Sequence, residues 1–438
     1  MSTSNNNETN EDPEIIRKSI TVPGLSGLKN MGNTCYMNSA LQCICSTNLL
    51  MTYLLKKEYH KDLYNNSQDI VAERIRKQEG VSETEEISVY VCDIEKEYKN
   101  SVTYNLFKLM RGMWVLNQEI NPKTFKTLIG KLNEVFRGYN QNDSQEFLSF
   151  VLDKIHEELK REVKIRYNNI PQSVKEYDEI RRQYTKSIEK EELELTFKEE
   201  ILNQFKQYKR EHMSEAAVHK YLTFWKKYSE KNHSIINEIF MGMYYTEIAC
   251  RECGEKSLVF EPYNILQLPI PDDGEIDLET CIKNFTVEEE LNGKNQYRCE
   301  SCNKYVDAIR KTSIWETPEI LIIQLKRFKS TYTNTTKVRS TVKYPMKDLS
   351  FEKYYSEYYP RTHVYDLYGV VQHTGSLHGG HYISHTKNFI NNKWYEFNDE
   401  DVIHIPDDKI EKELVSKDSY ILFYKKKEYF NYDTSEEE

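Results

Sequence analysis

A cysteine and a histidine that lie far apart in the sequence could together supply a nucleophile and its base. Cys35 lies in the segment 30–38 (NMGNTCYMN), which leads into apolar residues at helical spacing. In the first turn of a helix, unpaired backbone N–H groups and the helix dipole stabilise a thiolate. A lone cysteine is nevertheless more often an inert buried thiol. The role of Cys35 therefore depends on which residues the fold brings to it.

The candidate base is His381, in the glycine-rich segment 373–382 (HTGSLHGGHY). The pattern predicts a strand, a loop and a second strand that begins at the histidine. Gly375, Gly379 and Gly380 allow the loop to approach another backbone closely. A catalytic cysteine and histidine meet in space and not in sequence, so their separation is no obstacle. Three other histidines compete for the role, although each is more often structural when taken alone: His373, His378 and His385.

A catalytic histidine needs a group that orients its ring, and acyl transfer needs a donor for the oxyanion. Asn398 and Asp399 follow the aromatic segment 394–397, and either could accept from the imidazole Nδ1–H and fix the tautomer. Asn30 lies five residues before Cys35, and its amide could donate to a developing oxyanion. The sequence therefore contains the groups that cysteine-based acyl transfer requires.

Two C-x-x-C pairs predict a metal site. Such pairs, about 45 residues apart, fit a tetrahedral zinc ion with four thiolate ligands. A four-thiolate set leaves no open coordination position, so the Zn²⁺ would be structural. The alternative is two reduced redox-type dithiols, because C-x-x-C also occurs in redox proteins. The pairs are Cys250 with Cys253 and Cys299 with Cys302, and the cysteines expected to be inert are Cys43, Cys45, Cys92 and Cys281.

The order of the predicted elements, helices first and strands later, indicates an α+β fold. Asn33 is the predicted N-cap of the helix that carries Cys35, and Asp143 with Glu146 forms a capping box for a second helix. The charged segment 60–100 is expected to be irregular. Strands are predicted where aromatic and β-branched residues concentrate, at 320–325, 365–371, 394–397 and 419–424.

Composition divides the chain into one large domain, 25–428, and two tails. Residues 1–24 are polar and predict a disordered N-terminal tail, and 429–438 form an acidic C-terminal tail. A cysteine-bearing excursion at about 240–312 and a charged helical insertion at about 160–215 interrupt the domain. An apolar stripe in the insertion would either dock on the domain, the commoner case, or bind a partner. The stripe consists of Phe197, Ile201, Phe205 and Tyr208.

Whole-chain properties argue against two classes of protein. The net charge is −10 and no basic footprint is visible, which argues against a nucleic-acid partner. No apolar run is long enough to span a bilayer, and the polar N-terminus lacks the pattern of a signal peptide. We therefore expect a cytoplasmic or nuclear protein with reduced thiols and no membrane partner.

Several long segments resemble blocks of the ubiquitin-specific protease family and occur in the order of that family. Matching several motifs in order is far more specific than matching one. The resemblance extends from about residue 27 to 425. The segments are 27–41 for the Cys box, 139–147 (YNQNDSQEF), 321–328 (LIIQLKRF) and, for the His box, 365–382, 394–402 and 420–424.

This resemblance implies a papain-like α+β fold with a helical thumb, a β-rich palm and zinc-bearing β fingers that grip ubiquitin. It implies that Cys35 is the nucleophile and His381 the general base. Asn398 matches the third triad position, where family members carry Asp or Asn, so the contribution of Asp399 stays open. Asn30 matches the oxyanion donor.

The resemblance also implies roles in holding the ubiquitin tail for Gln141 and Asp143, and a structural Zn²⁺ at the tip of the fingers. Gly379 and Gly380 would narrow the channel so that only residues without side chains pass. The implied function is a thiol-dependent deubiquitinase that acts on ubiquitin and ubiquitinated proteins. It would cleave after the C-terminal glycine of ubiquitin through a Cys35 thioester. The rivals are a non-catalytic ubiquitin-binding module, a zinc-ribbon nucleic-acid protein and a peptidase for a ubiquitin-like modifier.

Overall fold

The computed structural model describes residues 15–19, 22–82, 87–189, 194–330, 335–376 and 379–427. Ile15–Ser19 form a strand that pairs with Gln118–Ile120, so this part of the predicted disordered tail is a strand instead. The rest of that tail before residue 22, the predicted acidic tail at 429–438 and the competing His378 lie outside the described residues.

Helices occupy most of the first half of the described chain. Segment 60–100, expected to be irregular, contains two of them; its sparse apolar residues Leu63, Val71 and Ile94 are buried and its many charges face solvent. The helices are α1 (Cys35–Cys45), α2 (Asn48–Leu55), α3 (His60–Glu79), α4 (Val91–Lys99), α5 (Val102–Trp114), α6 (Lys123–Leu132), α7 (Ser144–Leu159), α8 (Gln172–Ile188), α9 (Leu195–Glu211), α10 (Met213–Lys231), α11 (Ile235–Phe240), α12 (Leu278–Phe285) and α13 (Ile410–Leu414).

Strands occupy most of the second half, and the four predicted from sequence are present as β11, β16, β18 and β20 of the following set. The strands are β1 (Ile15–Ser19), β2 (Gln118–Ile120), β3 (Gly242–Cys250), β4 (Lys256–Tyr263), β5 (Ile265–Pro269), β6 (Glu275–Asp277), β7 (Glu289–Leu291), β8 (Tyr297–Cys299), β9 (Lys304–Val306), β10 (Ala308–Glu316), β11 (Ile320–Lys326), β12 (Phe328–Ser330), β13 (Thr335–Lys337), β14 (Thr341–Lys343), β15 (Leu349–Ser350), β16 (Val364–Ser376), β17 (Gly379–Lys387), β18 (Trp394–Asn398), β19 (Asp401–Ile405) and β20 (Ser419–Lys426).

Helices α1 to α7 form the thumb, with α1 at its centre. Every residue of α1 is buried, because one side packs on α7 and another on the main sheet. Tyr36 stacks on Phe136 at 6.0 Å between ring centroids and meets Phe147 edge-on at 5.7 Å. Burying each such side chain contributes about 1.5–3 kcal/mol. This packing holds the cysteine helix rigidly against its neighbours.

The palm is an eight-stranded sheet in the order β19-β18-β17-β16-β20-β11-β5, with β15 added beside β16. Neighbouring strands are antiparallel except β11 and β5. Alternate residues of β11 enter different cores: Ile320 and Ile322 face the thumb, whereas Leu321 and Ile323 join the core that includes α12. A strand covered on both faces reads as an unbroken apolar run, which is why its position was evident from sequence.

The fingers are a four-stranded antiparallel sheet in the order β4-β3-β10-β7. Tyr245, Phe260 and Trp315 lie in the core between this sheet and α10. Thumb, palm and fingers together are the α+β architecture predicted from the sequence. Among the described residues, no helix combines the length and hydrophobicity needed to cross a membrane.

The charged insertion contains α8, α9 and the beginning of α10. The predicted apolar stripe on α9 is divided between packing and solvent. Tyr208 stacks on Tyr177 of α8 at 5.8 Å between ring centroids, and Phe205 lies 5.3 Å from the ring of Tyr184. Phe197 is 57% exposed. The end of the stripe nearer α10 therefore packs on α8 of the same insertion, and the beginning faces solvent.

Candidate active site and metal centre

Cys35 is the first residue of α1, where backbone N–H groups have no acceptor within the helix. The turn before it is tight, because Gly32 and Asn33 have positive φ angles of 96° and 52°. The prediction that Asn33 is the N-cap is wrong: Thr34 holds that position, and the Asn33 amide donates to Tyr139 O at 2.7 Å. A Cβ on Gly32 would lie 2.9 Å from the Tyr139 ring, so a side chain would be crowded there.

His381 reaches Cys35 because α1 packs directly against β17, the strand that carries the histidine. Cys35 interacts with the imidazole and raises its pKa, and the imidazole Nε2 lies 2.7 Å from Asn398 Oδ1. Sequence reasoning assigned the asparagine contact to Nδ1. In the structure Nε2 makes it, which leaves Nδ1 as the ring nitrogen for the sulfur. The three side chains therefore form a cysteine–histidine–asparagine series.

The contact between thumb and palm favours the protonated form of the His381 imidazole. The hydrogen bond with Cys35 raises the pKa of His381 to about 9, although burial acts in the opposite direction. The hydrogen bond to Asn398 adds to the increase. An opposite charge close by stabilises the charged form of a titratable group. At neutral pH the imidazole therefore carries a proton that it can give to a leaving amine.

Asp399 belongs to a different part of the site from Asn398. Its Oδ2 accepts from Asn30 Nδ2 at 2.8 Å, and its Oδ1 accepts from Asn38 Nδ2 at 2.7 Å. Its backbone oxygen accepts from Leu28 N at 2.9 Å. In the described part of the chain, no hydrogen bond joins Asp399 to the imidazole. This carboxylate therefore connects the β18–β19 turn of the palm to the loop and helix of the nucleophile.

The Asn30 side chain is held at both ends of its amide. Its Oδ1 accepts from the backbone N–H of Gly32 at 2.9 Å and of Thr34 at 3.3 Å. Its Nδ2 donates one hydrogen to Asp399. An amide nitrogen carries two hydrogens, so a second one can be donated to another acceptor.

Gln141 joins the thumb to the loop before His381. Its Nε2 donates to Gly380 O at 2.7 Å, and its Oε1 accepts from Gly380 N at 2.8 Å. The side-chain amide therefore pairs with both backbone groups of Gly380, as a neighbouring strand would. A Cβ on Gly380 would lie 2.2 Å from His373 Nε2, so no other residue type fits without rearrangement. Gly379, one residue earlier, is exposed.

Asp143 is the N-cap of α7, in agreement with the capping pattern. Its Oδ1 accepts from the backbone N–H of Gln145 at 2.6 Å and of Glu146 at 3.3 Å. Its Oδ2 accepts from the Tyr420 hydroxyl at 2.7 Å. Burial raises the pKa of Asp143, and these hydrogen bonds oppose the increase. Both oxygens thus have internal donors, and a contact with the ubiquitin tail stays a prediction.

The two other candidate bases that the structure describes, His373 and His385, lie in environments typical of structural histidines. His373 is buried and packs on Tyr382 with ring centroids 4.3 Å apart. Burial lowers its pKa to about 4. His385 is also buried, and its Nε2 lies 3.3 Å from Glu396 Oε2. Both imidazoles are therefore held by packing or by an acidic side chain, as structural histidines are.

Sequence reasoning missed two residues that hold the site together. Asn38 follows the nucleophile by three residues in α1, a spacing that places both near one side of the helix and that could have signalled its role. Tyr420 has no such signal, because its partner Asp143 lies 277 residues away in the chain. Only the packing of β20 against the thumb brings that pair together.

The two C-x-x-C pairs form one cluster on the fingers. All four Sγ atoms lie within 4.8 Å of one another. Two of the separations are 3.7 Å, for Cys253 and Cys299, and 3.9 Å, for Cys250 and Cys302. A tetrahedral zinc site with Zn–S distances of about 2.3 Å has sulfur–sulfur edges of about 3.8 Å. The donor set and its spacing therefore fit a four-thiolate metal site better than two separate dithiols.

The backbone around the cluster supports the same interpretation. In each pair the second cysteine donates its backbone N–H to the sulfur of the first, at 3.4 Å in both cases. The residue after each pair, Gly254 or Asn303, has a positive φ. The two turns are thus similar in conformation, and each directs two sulfurs toward a common centre.

Known proteins resemble this chain in sequence and in fold. The model of a family described as ubiquitin carboxyl-terminal hydrolase matches residues 26–424. A protein of Acanthamoeba polyphaga mimivirus, named as a probable ubiquitin carboxyl-terminal hydrolase, is 31% identical over 93% of this chain and 91% of its own length. Human ubiquitin carboxyl-terminal hydrolase 2 is also 31% identical over 93% of this chain, which spans 56% of that protein.

A solved structure shares the fold. The SAGA Ubp8/Sgf11/Sus1/Sgf73 DUB module bound to ubiquitin aldehyde contains a chain that superposes with a TM-score of 0.60 at 21% identity. The match covers 93% of this chain and 70% of that one. At this level of identity the likeness concerns the fold alone.

Proposed function

The chain belongs to the ubiquitin carboxyl-terminal hydrolase family of cysteine-type deubiquitinases, and on this premise we propose that Cys35, His381 and Asn398 catalyse its reaction. The observation that carries the proposal is the contact of His381 with both other side chains across the boundary between thumb and palm. Three residues from distant parts of the sequence meet in the order that cysteine-based acyl transfer needs.

In the first half of the reaction, the Cys35 thiolate attacks the carbonyl carbon of the C-terminal glycine of ubiquitin, and the electron pair moves to the carbonyl oxygen. The second Nδ2–H of Asn30 and the Cys35 backbone N–H stabilise that oxyanion. The intermediate collapses, the C–N bond breaks, and the His381 imidazolium gives its proton to the leaving amine. A thioester between ubiquitin and Cys35 remains.

In the second half, the neutral His381 takes a proton from a water molecule that attacks the thioester carbonyl. The carbon–sulfur bond breaks, which restores the Cys35 thiolate beside the imidazolium and releases the C-terminal carboxylic acid of ubiquitin, whose proton passes to solvent. Asn398 keeps the ring in position through both halves. A neutral amide can orient the ring but cannot offset its charge, so the thiolate and, to a smaller extent, the Asp399 carboxylate stabilise the imidazolium.

We propose ubiquitin, free or conjugated to other proteins, as the substrate class. Gln141, Gly379 and Gly380 line the approach to His381, and the exposed, unbranched backbone there suits an extended tail that ends in glycine. Asp143 is held by internal donors, so its proposed contact with the ubiquitin tail would be additional to capping. A cytoplasmic or nuclear location, without nucleic-acid or membrane partners, stays a prediction from the sequence.

We propose that the four-cysteine cluster holds a structural Zn²⁺. A bound zinc ion would cross-link β3 and β4 to the β8–β9 turn, which otherwise make few apolar contacts at this end of the fingers. With four thiolate ligands the ion has no open position for a reaction. Its contribution is therefore to hold the fingers in shape.

Hydrolysis of a fluorophore linked to the C-terminus of ubiquitin tests the proposal. Wild type should release the fluorophore, Cys35→Ala should abolish release, and Cys92→Ala should retain it as a matched control at an exposed cysteine. Release by Cys35→Ala would overturn the assignment of the nucleophile. A parallel probe built on a ubiquitin-like modifier separates the two substrate classes, and faster release from that probe would overturn the choice of ubiquitin.

A further inference from the structure

A groove between α8 and α10 of the insertion has an apolar floor and a positively charged rim. Its volume is about 580 Å³, within the range of about 300–1,000 Å³ that is typical of ligand sites. Ile170, Val174 and Leu222 contribute to the floor, and the Tyr167 hydroxyl beside them donates to Leu222 O at 2.9 Å. None of the residues assigned to the active site lines this groove.

The rim has a local excess of positive charge on a chain whose net charge is −10. Six lysine and arginine residues line the groove against two acidic residues, which is an excess of four positive charges. Of the two acids, Asp178 already pairs with Arg181 and Arg182. Three of the lysines are exposed and have no ion-pair partner within the described ranges: Lys175, Lys227 and Lys231.

We propose that this groove binds residues 428–438 of the same chain. Their sequence, EYFNYDTSEEE, contains five acidic residues and no lysine or arginine. Its three aromatic residues all precede the acidic end. Aromatic side chains bury large apolar areas while a tyrosine hydroxyl can stay wet, which suits a floor with an open rim. The acidic residues complement the lysines on both sides.

A series of contacts leads from the end of the described chain toward the groove. The backbone N–H of Lys427 donates to Val364 O at 2.8 Å. Three residues before that strand residue, Arg361 lies over the Tyr359 ring at 3.7 Å, and Tyr359 lies 6.4 Å from the ring of Tyr221 in α10. Tyr221 is adjacent in sequence to the groove floor. From Lys427, an extended segment of eleven residues reaches up to about 36 Å.

Photo-cross-linking in the full chain tests the proposal. Tyr432→p-benzoylphenylalanine places a reactive ketone on the segment, and irradiation should attach it to peptides of α8 and α10 in a product with the mass of one chain. Lys227→Glu combined with Lys231→Glu should lower that yield at least about tenfold, because two attractions become two repulsions. The matched control combines Lys409→Glu with Lys412→Glu, two exposed lysines of the palm, and should leave the yield unchanged.

Any other outcome of the cross-linking experiment overturns the proposal. Cross-links outside the groove, a yield that ignores the groove charges, or no cross-link at all would show that the segment does not dock there. A product with the mass of two chains would assign the groove to a second copy. The variant with Lys227→Glu and Lys231→Glu should release the fluorophore from ubiquitin at the wild-type rate. This result would show that the variant is folded. The cross-linking result does not depend on whether the proposed catalytic residues are correct.

Discussion

Replacing Asp399 with alanine should slow catalysis by withdrawing the hydrogen bond that orients Asn30. Asp399 accepts from Asn30 Nδ2 at 2.8 Å and from Asn38 Nδ2 at 2.7 Å, whereas Asn398 contacts the His381 ring. Adjacent residues therefore serve different parts of the reaction. Asp399 supports the oxyanion donor, and Asn398 supports the base.

The size of the decrease in kcat follows from the hydrogen bonds of Asn30 that remain in the variant. Complete loss of an oxyanion donor lowers kcat by about 10²–10³-fold. In Asp399→Ala, the Asn30 Oδ1 still accepts from Gly32 N and Thr34 N, so the amide is loosened and not removed. We expect kcat to fall by about 10–100-fold, with KM changed by less than about threefold, because the lost interaction acts in the transition state. The variant should also be less stable, since each lost hydrogen bond to a carboxylate contributes about 1.5–3 kcal/mol.

A double-mutant cycle in the ubiquitin–fluorophore assay separates this explanation from others. If Asp399 acts through Asn30, then Asn30→Ala combined with Asp399→Ala should be no slower than Asn30→Ala alone. The matched control pairs Asp399→Ala with Asn398→Ala, whose effects should multiply. The reasoning is refuted if the Asn30 and Asp399 effects multiply. It is also refuted if Asp399→Ala shifts the alkaline limb of the pH–rate profile as strongly as Asn398→Ala does.

Three further predictions concern the base, the metal centre and the link between thumb and palm. The pKa of His381, about 9, is raised chiefly by its hydrogen bond with Cys35. Cys35→Ala should therefore return it to about 6.5 or below in an NMR titration, and wild-type kcat/KM should decline as pH rises through about 9, where the proton for the leaving amine is lost. Cys253→Ser should abolish zinc binding in metal analysis and lower Tm by on the order of 10 °C; an unchanged Tm would count against a structural zinc. Gln141→Ala should accelerate hydrogen exchange of the Gly380 amide and lower the free energy of unfolding by about 1–3 kcal/mol, because it removes two hydrogen bonds.

The elements that sequence reasoning located best are those whose neighbours are nearby in the chain or whose burial is complete. Cys35 opens a helix as expected, and Asp143 caps one through backbone groups two and three residues away. The run 320–325 is a strand buried on both faces. Each C-x-x-C pair forms its own local turn, as the motif predicts.

Sequence reasoning was wrong about two features, because composition does not reveal which of several possible local interactions forms. Segment 60–100 was expected to be irregular because it is charged, yet a few apolar residues at helical spacing suffice to hold α3 and α4. Asn33 was expected to cap α1, but it takes a left-handed conformation, and its amide donates to a loop more than a hundred residues away.

By itself the sequence determined the type of chemistry: a thiol at the start of a helix, a histidine after a glycine-rich loop, four metal-ligating thiols, and motifs whose order specifies the family. Only the tertiary structure decided which groups touch. From the sequence, Asp399 was as good a candidate as Asn398 for orienting His381. In the structure Asp399 instead accepts a hydrogen bond from Asn30, a residue 369 positions away in the chain. Hydrogen bonds depend on separations of a few tenths of an ångström and on direction. Those are set by the packing of α1 against the palm sheet, which no local pattern of residues contains.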